Sequence, residues 1–427
     1  MRKPSLTLLA AVLAGSALGA QDVKVTACLN IYWTQMLDSN LRLDTPTGTL
    51  AAGTGSGSYY PLRGDFRENG LSLRRAEVYL NGKITDEVSF NLMFDPNTTT
   101  STSGAAPGST TFPNLVFDAI LFWRPNPKFE VKLGQFKPPT SYEATLVGSP
   151  ALYFYDRSMM NRQIGDRRDR GFTAAYAFGN PKEFGAKLVA GFFNGSADRD
   201  FGRANDANAQ KDFAFRLEMN YGADHKFGFY SKQGVTDQAD KGGLTVGTFL
   251  GAPNSDPAFK QSVIDNKDKT TATGAYYVYE TAKWHASAEL MTGLLGRRWG
   301  SIGVAAAVRQ HLDQKFLGYT LTGVYKMGKH QITGRYDFMN YNKGDDWYTS
   351  YNPYTQTSTG ASLGADYTPK YTEVVVGYNY LLNPGKYSYG QVKLNYIHRS
   401  KNFLLPRTGQ SGEQGGDSLV AVFQIGF

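Results

Sequence analysis

Residues 417–427 form a two-faced ribbon. Leu419, Ala421, Phe423, Ile425 and Phe427 fall on one face, and Ser418, Gln424 and Gly426 fall on the other with Val420 and Val422. Successive side chains of a strand point to opposite faces, so apolar residues at every second position describe a strand with one face in an apolar medium. Termini usually fray, and a strand that runs to the terminal aromatic residue is expected to close a sheet. Inside a bilayer only a closed barrel is a sheet without an open edge. The same ribbon also suits the edge strand of a soluble β-domain, and the rest of the chain has to decide between the two.

The opposite end favours the membrane. Arg2 and Lys3 precede an apolar run over 6–18, and Ala17, Gly19 and Ala20 follow it. This is the pattern of a secretory signal peptide, with cleavage expected near Gly19 or Ala20. The run is shorter than the roughly 20 residues of a membrane-spanning helix. Cys28 is the only cysteine, which excludes an internal disulfide framework and a cysteine-rich metal site. The terminal Phe427 resembles the ending of bacterial outer-membrane proteins. The expected organisation is a signal peptide over 1–20 and one barrel domain over 21–427, located in the outer membrane.

Composition agrees with a barrel. The chain carries 27 Tyr, 26 Phe and 47 Gly, yet it is only 41% hydrophobic. Transmembrane barrels combine aromatic girdles with a polar interior and show this mixture. The formal charge is +8. A basic balance points to anionic partners such as nucleic acid, lipid head groups or small anions. Export makes nucleic acid an improbable partner, and positive charge in a channel favours anions.

Sixteen segments have strand character: 22–35, 71–81, 87–95, 114–123, 129–136, 170–178, 184–193, 212–221, 226–234, 272–280, 283–294, 315–326, 330–341, 372–381, 387–398 and 418–427. In the eighth, Phe213, Phe215, Leu217, Met219 and Tyr221 alternate with Ala214, Arg216, Glu218 and Asn220. The charged face requires a wet lumen. Connections alternate in length. Long ones span 36–70, 96–113, 137–169, 194–211, 235–271, 295–314, 342–371 and 399–417. Short turns lie near Gly82, Pro125, Gly179, Gly222, Thr281, Gly328 and Asn383. Long loops at one rim and tight turns at the other are the outer-membrane pattern. The expected fold is therefore an all-β, antiparallel, up-and-down transmembrane barrel of about 16 strands. Residues 51–58, 97–111 and 409–416 are low in complexity and are expected to be mobile. Residues 244–250 could add a hairpin within a loop.

The third long connection differs from the others. It opens with Pro138-Pro139, passes Tyr153-Phe154-Tyr155, and then carries Arg157, Arg162, Arg167, Arg168 and Arg170 among Asp156, Asp166 and Asp169. Leu146, Val147, Leu152, Met159 and Met160 need burial. A loop folded into the lumen would bury them and narrow the passage with guanidiniums, whose planar forks suit phosphate or carboxylate oxygens. A loop pinned to the rim by Arg–Asp pairs fits equally well. Lys137 and Arg216 join the candidate anion-binding residues.

Several motifs together resemble the phosphate-selective porin O and P family. They are Leu73-Arg74-Arg75-Ala76-Glu77-Val78, the Gly-Gln-Phe-Lys-Pro-Pro run over 134–139 followed by Ser141 and Glu143, and Phe154-Tyr155-Asp156-Arg157-Ser158. Arg168-Asp169-Arg170-Gly171 and the Gly-Phe-Phe-Asn-Gly run over 191–195 complete the set. The resemblance implies a sixteen-stranded porin, a homotrimer with the third long loop inside each barrel. It also implies a lumen lined with Arg and Lys that passes small inorganic anions such as phosphate.

Other chemistry is weakly supported. Gly360-Ala361-Ser362-Leu363-Gly364 matches a nucleophile pattern but lies in a Tyr/Thr/Ser-rich loop instead of a strand–turn–helix setting. His225, His285, His311, His330 and His398 show no metal-ligand spacing. The reading is a passive anion channel, not an enzyme, needing no cofactor. The alternatives are a general-diffusion porin without anion selectivity, a barrel scaffold around a partner, and a barrel hydrolase.

Overall fold

The computed structural model describes residues 22–37, 69–96, 116–195, 211–236, 268–299, 311–340, 343, 370–383, 390–407 and 410–426. Residues 1–20, expected to be a signal peptide, the stretches 51–58, 97–111 and 244–250, and the Gly-x-Ser-x-Gly run lie outside them.

The first eight strands are β1 Asp22–Met36, β2 Gly70–Lys83, β3 Val88–Phe94, β4 Val116–Asn126, β5 Phe129–Phe136, β6 Asp169–Gly179, β7 Phe184–Phe193 and β8 Asp212–Tyr221. The second eight are β9 His225–Thr236, β10 Asp268–Glu280, β11 Trp284–Trp299, β12 His311–Met327, β13 His330–Asn340, β14 Lys370–Leu381, β15 Gly390–Arg407 and β16 Gln410–Gly426. Each strand is antiparallel to its sequence neighbours. β16 returns to β1, in register from Cys28 opposite Gly426 to Met36 opposite Ser418, and so closes the barrel.

The two faces separate by polarity, with the apolar row outermost. On β13, Gln331, Thr333, Arg335, Asp337 and Met339 are buried, whereas Ile332 is 52% exposed. On β14, Glu373 is 0% exposed and Val376 is 53% exposed. A water-soluble sandwich would bury the apolar row, so this inversion identifies a sheet whose outer solvent is lipid. In β16, Leu419, Phe423 and Ile425 are exposed, while Ser418, Val420, Val422 and Gln424 are buried.

Aromatic residues gather at both ends of the strands. Beside the short turns, Trp284 packs on Tyr325 at 4.4 Å and Trp123 meets Phe129 edge-on at 6.0 Å. At the long-connection end, Phe192 lies between Phe172 and Phe213, at 5.8 and 5.3 Å. Amphipathic rings favour such interfacial levels. The tight turns follow local chemistry. Gly222 and Gly328 both have φ 61°, a conformation unfavourable for residues with a Cβ. The Thr281 hydroxyl accepts the Trp284 N–H at 2.9 Å.

Several boundaries differ from the expectations. β4 runs through Pro125 to Asn126, where a turn was expected. Gly82 lies within β2, opposite Phe90, and the Phe90 ring occupies the space a Cβ would fill. The turn there falls at 84–87. β11 and β12 extend through Trp299 and from His311, shortening the connection expected at 295–314. β15 and β16 also continue past the expected loop at 399–417, pairing Phe403 with Gln414 through Arg407 with Gln410. Residues 410–416, expected to be mobile, are strand. Backbone ladder bonds hold an extended hairpin without needing an apolar row, so composition did not reveal it.

Val376 pairs with Gly334 and Tyr396 in the middle of the outer face. Val376→Arg is expected to destabilise the folded barrel in lipid vesicles by about 2–4 kcal/mol, measured by urea titration.

Candidate functional site

The connection between β5 and β6, residues 137–168, carries five of the seven candidate residues before β6 begins. Pro138 and Pro139 have no N–H to extend the ladder, so β5 stops at Phe136. A single helical turn, Tyr142–Thr145, follows; the Ser141 hydroxyl caps it by accepting the Ala144 N–H at 3.0 Å. A 3₁₀ turn occupies Ser149–Ala151 and a wide π turn Asn161–Gly165. Ser141 donates to the Asn161 side-chain oxygen and so ties the first turn to the last.

The segment is bonded to the covered faces of strands spread around the barrel. From β2, Arg74 and Arg75 donate to the Asp156 carboxylate at 2.9 and 3.0 Å. From β8, Arg216 donates to the Thr140 carbonyl at 2.8 Å. On β11, Glu289 accepts the Tyr142 N–H at 2.8 Å. From β13, Arg335 donates to the Asp156 carbonyl at 2.7 Å. From β14, Asn379 donates to the Tyr153 carbonyl at 2.8 Å. Lys393 of β15 donates to the Leu152 carbonyl. Gln424 of β16 donates to the Pro150 carbonyl at 2.9 Å.

Apolar packing follows the same path. Met159 and Met160 pack with Tyr230, Met291, Phe316 and Met339. Phe154 and Tyr155 pack with Tyr32, Val375, Ile397 and Val422.

Glu373 is the densest charge node. Its carboxylate accepts Arg162 at 2.9 Å, Arg335 at 3.1 Å, Arg399 at 2.8 Å and the Tyr155 hydroxyl at 2.9 Å. The Arg335 guanidinium also lies 4.8 Å from the Phe154 ring. Charged groups removed from water must find such partners, and breaking one pair leaves a costly isolated charge.

Burial alone would raise the Asp156 carboxyl, but the Arg75 and Arg74 guanidiniums hold it well below the usual carboxylate range. Burial likewise works against the Asp166 carboxylate, and Arg157 and Lys137 keep it well below that range. Burial pushes the Lys137 ammonium down to about 8 against the pull of Asp166.

The seven residues singled out from sequence do not form one row. Lys137 and Arg157 share Asp166. Lys137 also donates to the Ala144 carbonyl at 2.9 Å. Arg157 is 1% exposed, and its guanidinium donates to the Val147 carbonyl at 2.9 Å, so it binds the segment to itself. Arg162 is held on Glu373, and Arg168 on Asp118 at 2.7 Å, above the Phe117 ring. Arg216 divides its donors between Thr140 and Glu218. Arg167 is partly exposed, as is Arg170, which reaches Gln135 at 3.3 Å.

Sequence reasoning missed a second group of cations on the wall. Arg124, Lys132 and Lys187 surround the single carboxylate of Glu130 at 2.7, 3.6 and 3.5 Å. Their side chains are 45, 34 and 37% exposed. Arg124 and Lys132 flank the Phe122 ring at 4.4 and 5.5 Å. These residues belong to three strands, and the available signal was one cation in each.

No curated protein matches the chain. Among solved structures, it is similar to the outer membrane channel DcaP of Acinetobacter baumannii. The two are 11% identical, with 96% of this chain and 98% of that one covered and a TM-score of 0.54. It is also similar to Salmonella typhi OmpF in complex with daunomycin, at 12% identity, 95% and 97% coverage and a TM-score of 0.51. Likeness at these identities shows the barrel fold. The model of one family, phosphate-selective porin O and P, matches residues 57–403. With its sixteen strands closed, its outer face apolar and most of its length matched, the chain belongs to the phosphate-selective porin O and P family and forms an outer-membrane porin channel.

Proposed function

We propose that this porin passes small inorganic anions, phosphate among them, and that residues 137–168 lie inside the lumen as its constriction. The segment's bonds reach the covered faces of β2, β8, β11 and β13 to β16. A closed barrel offers one space from which all of these can be reached. Among the described residues, no hydrogen bond or ion pair joins Arg124, Lys132 or Lys187 to the segment.

The observation that carries the anion reading is this exposed group: three cations share one carboxylate. The excess charge attracts an anion, and several weak sites in succession let it leave again. The partly exposed Arg167 and Arg170 extend the field. Lys137, Arg157, Arg162, Arg168 and Arg216 contribute chiefly by positioning the segment, because their charges are already met by carboxylates and carbonyls. The family's name supports phosphate as one member of the solute class. Export with removal of residues 1–20 and assembly as a homotrimer complete the proposal.

In planar bilayers under a KCl gradient, the reversal potential is expected to show anion preference. Converting Arg124, Lys132 and Lys187 together to Ala lowers that preference. Each charge removed at ~4 Å in water weakens the attraction by about 1 kcal/mol. An unaltered preference in the triple variant, or a cation preference in the parent, refutes the role of this wall.

The acid response of the segment tests its tethering. The folded pKa of Asp156 lies below its unfolded value of about 3.9. Its stabilisation is therefore complete above pH ~4 and is lost only as pH falls through the depressed folded value. Pepsin at pH 4 is expected to leave residues 146–156 intact. Asp156→Asn is expected to cost about 3 kcal/mol and to open the same stretch to proteinase K at pH 7.

A further inference from the structure

A cavity of about 580 Å³ lies between residues 142–154 and the wall of β9 to β14, reaching the short-turn end at Gly328. We infer that it is a binding subsite for a zwitterionic dipeptide with an apolar side chain. The inference rests on the channel reading and goes beyond it, because this lining is unsuited to an inorganic anion.

The inner end is acidic. Glu289 is buried, and no cationic group lies within ion-pair reach of it among the described residues. Its carboxylate accepts neutral donors: the Tyr142 and Glu143 N–H groups, the Tyr230 hydroxyl at 3.1 Å and the Asn161 amide at 3.2 Å. The same Asn161 amide donates to Glu143 at 3.0 Å, so the two carboxylates sit side by side. Among the described residues, the one cation in ion-pair reach of the Glu143 carboxylate is Arg335 at 3.8 Å, and Asp337 and Glu373 already share it; the Arg157 guanidinium reaches the Glu143 backbone carbonyl instead. An ammonium would supply the missing charge.

The flank is apolar. Leu146 is exposed, and Tyr153 and Phe154 line the same space. At the mouth, Lys226 is exposed and has no carboxylate in ion-pair reach among the described residues, whereas Lys326 is paired with Glu280. Lys226 therefore offers a site for a carboxylate.

The spacing accommodates a ligand of this length. Lys226 lies opposite Val278, and Val278 opposite Ser287, which places Glu289 two strands across and two residues along. Strand spacing of about 4.8 Å and a rise of about 3.3 Å put their Cα atoms roughly 12 Å apart. A dipeptide spans about 7 Å between its termini, and the lysine side chain covers the remainder. The volume falls within the range of roughly 300–1,000 Å³ typical of small-molecule sites.

The test uses the full porin in planar bilayers, with glycyl-phenylalanine as the probe. Its N-acetyl form lacks the ammonium and its amide lacks the carboxylate. The parent dipeptide is expected to interrupt the chloride current transiently, with both capped forms at least tenfold weaker. Glu289→Gln and Lys226→Ala are each expected to weaken the effect tenfold or more. Lys226→Ala keeps the test decisive if Glu289→Gln fails to assemble. Equal blocking by the capped forms, or a chloride current that the dipeptide never interrupts, overturns the subsite and leaves the channel intact. Absence of any chloride current would instead refute the channel reading, and calorimetry of the detergent-purified protein with the same three probes then decides the subsite.

Discussion

The ladder between β1 and β16 is the contact on which the remaining structure depends. A backbone N–H or C=O facing hydrocarbon without a partner costs several kcal/mol. Fifteen antiparallel pairings would still leave two open edges, and the pairing of Cys28 with Gly426 through Met36 with Ser418 removes both. Closure also creates an inside. Once the apolar row of each strand must face lipid, the alternate row is forced inward, and its polarity becomes a requirement of the interior.

The buried charges of the strands are met by pairing across the chain. Glu373 on β14 collects Arg162 from the segment, Arg335 from β13 and Arg399 from β15. Asp156 on the segment collects Arg74 and Arg75 from β2. Each node joins the segment to the wall and restricts it to one arrangement, since displacement would leave a buried charge unmet. The apolar contacts of Met159, Met160, Phe154 and Tyr155 add area without such directional demands.

The sequence was most informative where the bilayer imposes alternation. β5, β7 and β8 were bounded correctly because apolar residues at every second position give way to Asn, Pro and Gly where the chain turns. It was least informative at the long-connection end. Leu404, Leu405 and Pro406 continue β15, yet no alternation marks them. The site was only partly legible. Five arginines within 157–170 suggested one concentrated field, but Arg157, Arg162 and Arg168 meet Asp166, Glu373 and Asp118 in separate places. Glu373 itself carried no local signal, because Arg162 is 211 positions away in the chain.

The contrast between the buried and exposed cations bears on selectivity. An arginine enclosed by carboxylates contributes little net field to a passing ion, however conspicuous it is in the sequence. Arg124, Lys132 and Lys187 share one carboxylate and remain partly solvated, so water screens them but does not cancel them. Lysine suits that position, since its strongly hydrated point charge attracts without a fixed fork of donors. Arginine suits the anchors, where two oxygens must be held in one geometry. On the proposed reading, positioning and attraction fall to different cations, and the charges offered to a solute are those the fold itself uses least.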